Sequence, residues 1–277
     1  MSRAIAARPL DPGRLLLHAA TPFTRAIGVD ILEWGGGRAT TRVVPNARIA
    51  RATNDPRPHP LVLPGIADDV LSHAFGCVVA PQQGLSTLDL WLGIDERDPD
   101  GSPIIATSQI LSLAGTSGTA SASIADGGGL LATATATFLI GQYPGGRGPD
   151  ARLIGRYDAT SSDGPLPSLL GLEGRPGTPA FASGNPAVIG WESGPSLHGG
   201  AIAALLMVAC QGCGGLPDQR LGSVAVRFLR PCIGSALRAE AQLDRAGRQA
   251  SHVSALAFSD APKPAAMATA TFVRRDG

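Results

Sequence analysis

Leu197-His198-Gly199-Gly200-Ala201-Ile202 sets two glycines between a histidine and an apolar run reaching Leu206, a pattern that predicts a turn opening directly into a helix. The first N–H groups of a helix have no partner within it, and the aligned peptide dipoles place partial positive charge there. With no side chain at Gly199 or Gly200, a ligand oxygen can come close to that backbone. Gly200 is therefore a candidate donor to a developing oxyanion, with His198 and Gly199 as candidate substrate contacts. Such chemistry also needs a base. Asp68 and Asp69 lie four and three residues before Ser72 in the stretch Leu63 to Ala80, spacings that bring both near the Ser72 face of a helix. His73, four residues after Asp69, is within reach of it. Acids in a first helical turn are also ordinary capping chemistry, so both readings of the two aspartates stand.

The elements that position these residues occur twice. Leu63-Pro64-Gly65 occupies the place of His198-Gly199-Gly200, Gly65 preceding Gly200 by 135 residues. Ser86–Leu92 and Gly222–Leu229 both read as strands following a helix. Asp126 is matched 134 residues later by Asp260, and Phe138 by Phe272, the two phenylalanines closing Ala134-Thr135-Ala136-Thr137-Phe138 and Ala268-Thr269-Ala270-Thr271-Phe272. Pro22 to Val29 is echoed 143 residues on by Pro165 to Leu172. A nearly constant offset over separated patterns predicts two copies of one unit, residues 1–140 and 164–277, joined by a Gly/Pro-rich linker at 141–163. Each copy reads as one buried helix with about five strands, hence an α+β class with an antiparallel sheet wrapped around a helix. A short N-terminal helix is expected over 9–20, Thr21 to Ile31 as a lead into a strand, a hairpin turn at Gly35-Gly36-Gly37, and a loop over Asn54 to Pro60.

Composition excludes several classes. Apolar residues make up 44% and charged residues 16%, which allows a full core and argues against disorder. A net charge of +1 without a basic block offers no electrostatic case for nucleic acid or anionic lipid. No secretory signal or membrane-length apolar run is evident, so a cytoplasmic protein is expected. Cys77, Cys210, Cys213 and Cys232 are read as free thiols, the single Cys210-x-x-Cys213 pair as buried helix residues.

The chain resembles the hotdog-fold thioesterases, in particular the PaaI-like acyl-CoA thioesterase branch. The matching residues are Pro165 to Leu172, Leu197 to Ala201, Ser223, Phe228-Leu229-Arg230-Pro231 with Gly234, and Ala268 to Phe272, with Pro22 to Val29, Thr87 and Ala134 to Phe138 in the first copy. The resemblance implies a double hotdog with sites between the copies, no cofactor beyond the CoA of the substrate, no metal, and a homo-oligomer. It implies hydrolysis of an acyl thioester, with Thr87 or Ser223 positioning water and Arg230 meeting a CoA phosphate. The family also carries a carboxylate nine residues after the turn histidine. Here those positions hold Met207 and Ser72, which leaves Asp68 or Asp69 as the base, Ser72 and Gly65 as neighbours of the substrate, and two rival readings. One is a non-catalytic acyl or acyl-CoA binding protein. The other is a hotdog enoyl-CoA hydratase, suggested by Asn54, Asp55 and His59 and by the Asp68-to-His73 spacing, although five residues turn a helix by about 500° and separate those side chains.

Overall fold

A computed structural model describes residues 18–19, 21–80, 83–141, 143, 148, 150–157, 164–182, 184–194, 196–234 and 236–275. The expected N-terminal helix falls outside these, apart from His18 and Ala19, which are helical. In the first copy, helix α1 (Pro22–Ile27) is followed by strands β1 (Val29–Gly35) and β2 (Arg38–Val43), helix α2 (Leu63–Gly76), and strands β3 (Leu85–Ile94), β4 (Ile104–Ala114), β5 (Ser117–Asp126) and β6 (Gly129–Ile140). The second copy repeats this order with α3 (Leu166–Leu169), β7 (Leu172–Arg175), β8 (Thr178–Phe181), α4 (Gly199–Cys213), β9 (Gln219–Phe228), β10 (Arg238–Arg245), β11 (Ala250–Phe258) and β12 (Ala266–Arg274). Each copy thus contributes six strands to the main sheet, where about five were expected.

The twelve strands form one antiparallel sheet in the order β1-β2-β4-β5-β6-β3-β9-β12-β11-β10-β8-β7. The second half of that order is the first in reverse, so the copies are related by a local two-fold at the β3/β9 seam, where Val224 faces Leu92 and Val226 faces Leu90. This is the double-hotdog arrangement, with α2 and α4 enclosed by the curved sheet.

The repeated motifs have local physical causes. Pro22 and Leu166-Pro167 open one-turn helices where a missing N–H costs nothing. Both helices are followed by glycines in the left-handed region, Gly28 at φ 74° and Gly171 at φ 59°, which turn the chain into the next strand. The run from Thr21 is therefore helical before it becomes a strand. In β6 and β12 the alternation Ala-Thr-Ala-Thr-Phe buries Ala134, Ala136 and Phe138, and likewise Ala268, Ala270 and Phe272. Alanine there lets a helix lie close to the sheet, while threonine suits the outer face. The Asn54-to-Pro60 stretch is not a plain loop: Asp55–Pro58 pairs with Ala50–Ala52 in a small hairpin before a 3-10 turn feeds α2.

Helices α2 and α4 meet at their starts. A Cβ on Gly200 would lie 2.5 Å from the Gly65 Cα, so both positions must lack a side chain for the helices to come this close. α2 is apolar on nearly every side and buried along almost all its length, and Asp68, Asp69 and His73 are buried with it. Buried polar groups require partners. Among the described residues no helix is long and apolar enough to cross a membrane, and all four cysteines are free. Burial pushes the Cys210 thiol up to about 12 and Cys232 up to about 11, consistent with packed, unreactive side chains.

Candidate functional site

The start of α4 is capped from two directions. His198, in extended conformation at φ −68° and ψ 136°, accepts the Gly200 N–H on Nδ1 at 3.0 Å. Asp68, reaching across from α2, accepts the same N–H on Oδ2 at 3.0 Å. Its other oxygen, Oδ1, accepts the Thr87 hydroxyl from β3 at 2.8 Å. A helix of one copy, a strand of the same copy and a helix start of the other therefore converge on one carboxylate that is only 5% exposed. Because His198 Nδ1 acts as an acceptor, its lone pair also faces Asp68 Oδ2, 3.4 Å away. The two groups share one proton donor rather than forming a bond between themselves.

Glycine at 199 is a requirement of this geometry. A Cβ there would lie 2.6 Å from Asp68 Oδ2, in the space the carboxylate fills. The His198 ring is stacked on Phe23 of α1 at 4.4 Å between centroids, which fixes its plane.

Asp69 points elsewhere. Its Oδ1 accepts the Thr24 hydroxyl at 2.8 Å, and Oδ2 lies 3.4 Å from His73 Nδ1. The expected Asp69–His73 proximity is thus present, but it forms away from the Gly200 N–H. Asp68 and His73 do not pair with each other, in line with their helical phase, although both line the same cavity.

That cavity, of about 330 Å³, lies between the copies. Its polar wall includes Asp68, Thr87, His198 and Gly199, and its apolar wall Trp34, Phe138, Tyr143, Trp191 and Phe228. Trp191 and Tyr143 stack at 5.1 Å, so a linker residue closes one side. Beside it the Arg25–Glu192 ion pair at 2.7 Å, with Glu192 also accepting the Gly155 N–H, ties α1, the linker and the second copy together. Few positions in this chain are aromatic, and five of them face this space. The volume and lining suit a small apolar group.

Of the residues singled out from the sequence, Asp68, Thr87, His198, Gly199 and Gly200 come together. Ser72 lines the cavity, its hydroxyl donating to the Asp69 carbonyl at 2.7 Å. Gly65 packs beneath Gly200 rather than facing the cavity. Arg230 lies at the rim, exposed, with its guanidinium on the Pro264 carbonyl at 2.9 Å. Ser223 is not brought in: it sits at the β3/β9 seam opposite Gly93 and does not line the cavity. The Asn54–His59 segment is also remote. Asp55 is paired with exposed Arg57, while His59 Nδ1 caps the Leu61 N–H at 3.1 Å, and desolvation lowers that histidine to about 4.

Met207 faces a different space. A second cavity of about 460 Å³ is lined by Leu63, Met207 and Phe272, which stand where His198, Ser72 and Phe138 stand in the first. The repeat places Ala203 opposite Asp68, so this second cavity has no acid at the equivalent position. The lack of an acid at Met207 therefore bears on the second cavity, and the acid facing His198 is supplied by the other copy, one turn earlier than Ser72. His18, Thr24, Trp34, Tyr143 and Trp191 also shape the site, and only their tertiary placement identifies them.

Residues 188–273 match the family model of the acyl-CoA thioesterase N-terminal domain. Among solved structures, a Lactobacillus plantarum protein assigned as an oleoyl thioesterase is similar at a TM-score of 0.58 and 13% identity, over 87% of this chain and 97% of its own. The 12:0-ACP thioesterase from Umbellularia californica gives 0.57 and 10%, over 87% and 95%. A protein from Novosphingobium aromaticivorans DSM 12444 assigned as a thioesterase gives 0.55 and 12%, over 89% and 98%. These likenesses establish the shared fold. No curated protein sequence gives a significant match.

Proposed function

We propose, from the premise that this chain is a tandem hotdog protein whose second copy matches the acyl-CoA thioesterase domain, that it hydrolyses an acyl thioester to a carboxylic acid and a thiol. The observation that carries the reading is the position of Asp68, bonded to Thr87 and at the same time to the Gly200 N–H of the facing helix.

A thioester carbonyl entering the site takes the place of Asp68 Oδ2 at the Gly200 N–H. The displaced carboxylate stays held through Thr87 and lies beside the carbonyl carbon. Asp68 then accepts a proton from water, and the new hydroxide bonds to that carbon while the carbonyl electrons move to oxygen. The oxyanion is stabilised at the start of α4. Collapse breaks the C–S bond, the thiolate leaves, and the proton held by Asp68 neutralises it. The aromatic wall excludes water from the acyl side and holds the chain. His198 keeps the helix start in shape while its N–H partner changes.

We further propose CoA as the carrier, with Arg230 at the rim available to a phosphate, a PaaI-like relationship on the motifs named above, a cytoplasmic setting, and assembly into a homo-oligomer. The domain match and the neighbours named as acting on oleoyl and 12:0-ACP substrates support the thioester class. The contact of Asp68 with Gly200 also favours a second reading, a binding protein in which the carboxylate is never displaced. Purified protein offered short, long and aryl acyl-CoAs, with thiol release followed by a chromogenic reagent, separates the two. Release supports hydrolysis; saturable binding without release from any of them establishes the binding protein.

A further inference from the structure

His18, Asp69 and His73 form a second polar cluster on the cavity wall, distinct from the Asp68 cap. One ligand-type atom from each lies within 4.8 Å of the others. His73 Nδ1 is 2.6 Å from the Asp69 carbonyl, which can only accept, so the proton resides on Nδ1 and Nε2 keeps its lone pair. A backbone carbonyl holding one imidazole nitrogen is the arrangement that fixes a metal-binding histidine. The helix backbone is held in turn by Trp34, whose indole N–H donates to the His73 carbonyl at 2.5 Å.

The carboxylate is half used. Asp69 is 3% exposed, and while Oδ1 takes the Thr24 hydroxyl, Oδ2 is buried with no hydrogen-bond partner. His18 Nδ1 is likewise buried and without one. Orphaned polar atoms of this kind are uncommon and costly, and here two of them belong to one cluster. Asp69 Oδ2 lies 3.4 Å from His73 Nδ1 without forming a hydrogen bond to it, and that contact leaves His18 Nδ1 unpartnered.

We infer that His18, Asp69 and His73 bind one divalent transition-metal ion of the zinc type, with two imidazoles and a carboxylate as ligands and the remaining coordination directed to the cavity. Nitrogen and carboxylate donors suit such an ion, and three protein ligands leave a position for water or a ligand oxygen. Tetrahedral ligation brings donor atoms to about 3.4 Å apart, so modest side-chain movement completes the set. The ion would also tie His18, ahead of α1, to α2. This inference does not depend on the thioester reading, since binding is measured without substrate.

The test is titration of tag-free, chelator-treated full-length protein with Co²⁺ alone, followed by visible d–d absorption and calorimetry. One Co²⁺ per chain is expected, with affinity lower by at least about 10-fold in both His18→Gln and His73→Gln and unchanged in Asp68→Asn. His73 is buried within α2, where a replacement disturbs packing, whereas His18 is half-buried ahead of α1, so His18→Gln decides if the other variant is not folded. Absence of stoichiometric binding, wild-type affinity in His18→Gln, or equal loss in Asp68→Asn overturns the assignment.

Discussion

Asp68→Asn isolates the carboxylate's chemistry from its architecture. Asparagine is isosteric: its oxygen can accept the Gly200 N–H while its amide donates to Thr87, whose hydroxyl can turn to accept. Both partners stay satisfied. Two charge-assisted hydrogen bonds become neutral ones, a loss of about 1 kcal/mol each. Relief of burying a charge at a site only 5% exposed offsets much of this. The net change in folding stability should stay within about 2 kcal/mol in either direction. The base is nevertheless gone, and general-base assistance is typically worth about 10²–10⁴ in rate. At 1.36 kcal/mol per decade this is about 2.7–5.4 kcal/mol of transition-state stabilisation. Steady-state thiol release from the best acyl-CoA should therefore show kcat lowered by two to four decades, with circular dichroism and melting close to wild type. Ser223→Ala, outside the cavity, should leave kcat within a factor of about 2. Retention of more than a tenth of wild-type kcat in Asp68→Asn, with Asp68 still in its observed place, would refute the assignment of the base.

Thr87→Val removes the hydroxyl that holds Oδ1 and leaves that oxygen unpaired; stability should fall by about 1–3 kcal/mol in urea titration, and kcat by about 10-fold as the carboxylate loses its anchor. Gly200→Ala forces a methyl to 2.5 Å from the Gly65 Cα, against backbone that no rotamer change can move, so the helix starts must part; a loss of about 1–3 kcal/mol or more is expected in thermal melting, together with activity. Gly199→Ala instead intrudes on Asp68 Oδ2 at 2.6 Å, so kcat should fall by more than stability does; a silent variant contradicts the geometry. His59 is neutral in the fold, lowered to about 4 by desolvation against an ordinary value of 6.5. The unfolded chain therefore binds the extra proton between pH 6.5 and 4, and the His59 contribution to stability is intact above 6.5, falls through that window, and levels off below it. The fall should be about 2 kcal/mol after allowance for partial exposure, and His59→Asn, which can retain the cap on Leu61, should remove it in urea titrations across the window.

The duplicated pattern was legible because its physics is local. Gly28 and Gly171 terminate helical turns that only a residue tolerant of positive φ can end, and Ala-Thr-Ala-Thr-Phe alternates with the period of a strand half covered by a helix. His198-Gly199-Gly200 announced a helix start open to an oxygen for the same reason. The lead-in at Pro22 and the Asp55 hairpin were harder to read, since one helical turn and a four-residue strand carry too little periodicity to stand out.

Which acid serves which helix start was not local at all. Asp68 and Gly200 are separated by 132 residues, and their contact exists because the two-fold at the β3/β9 seam brings the helix starts together at a Gly–Gly crossing. Counting along a single copy leads from His198 to Met207, which lines the other cavity. Ser223 and Thr87 are equally compatible with their strands, and only the sheet register sends one to the seam and the other to Asp68. The sequence by itself determined two copies, their strands and a helix start able to receive an oxygen, because these follow from backbone sterics and side-chain period. The tertiary structure alone decided the pairing of Asp68 and Thr87 with Gly200, because packing between the copies sets which side chains converge.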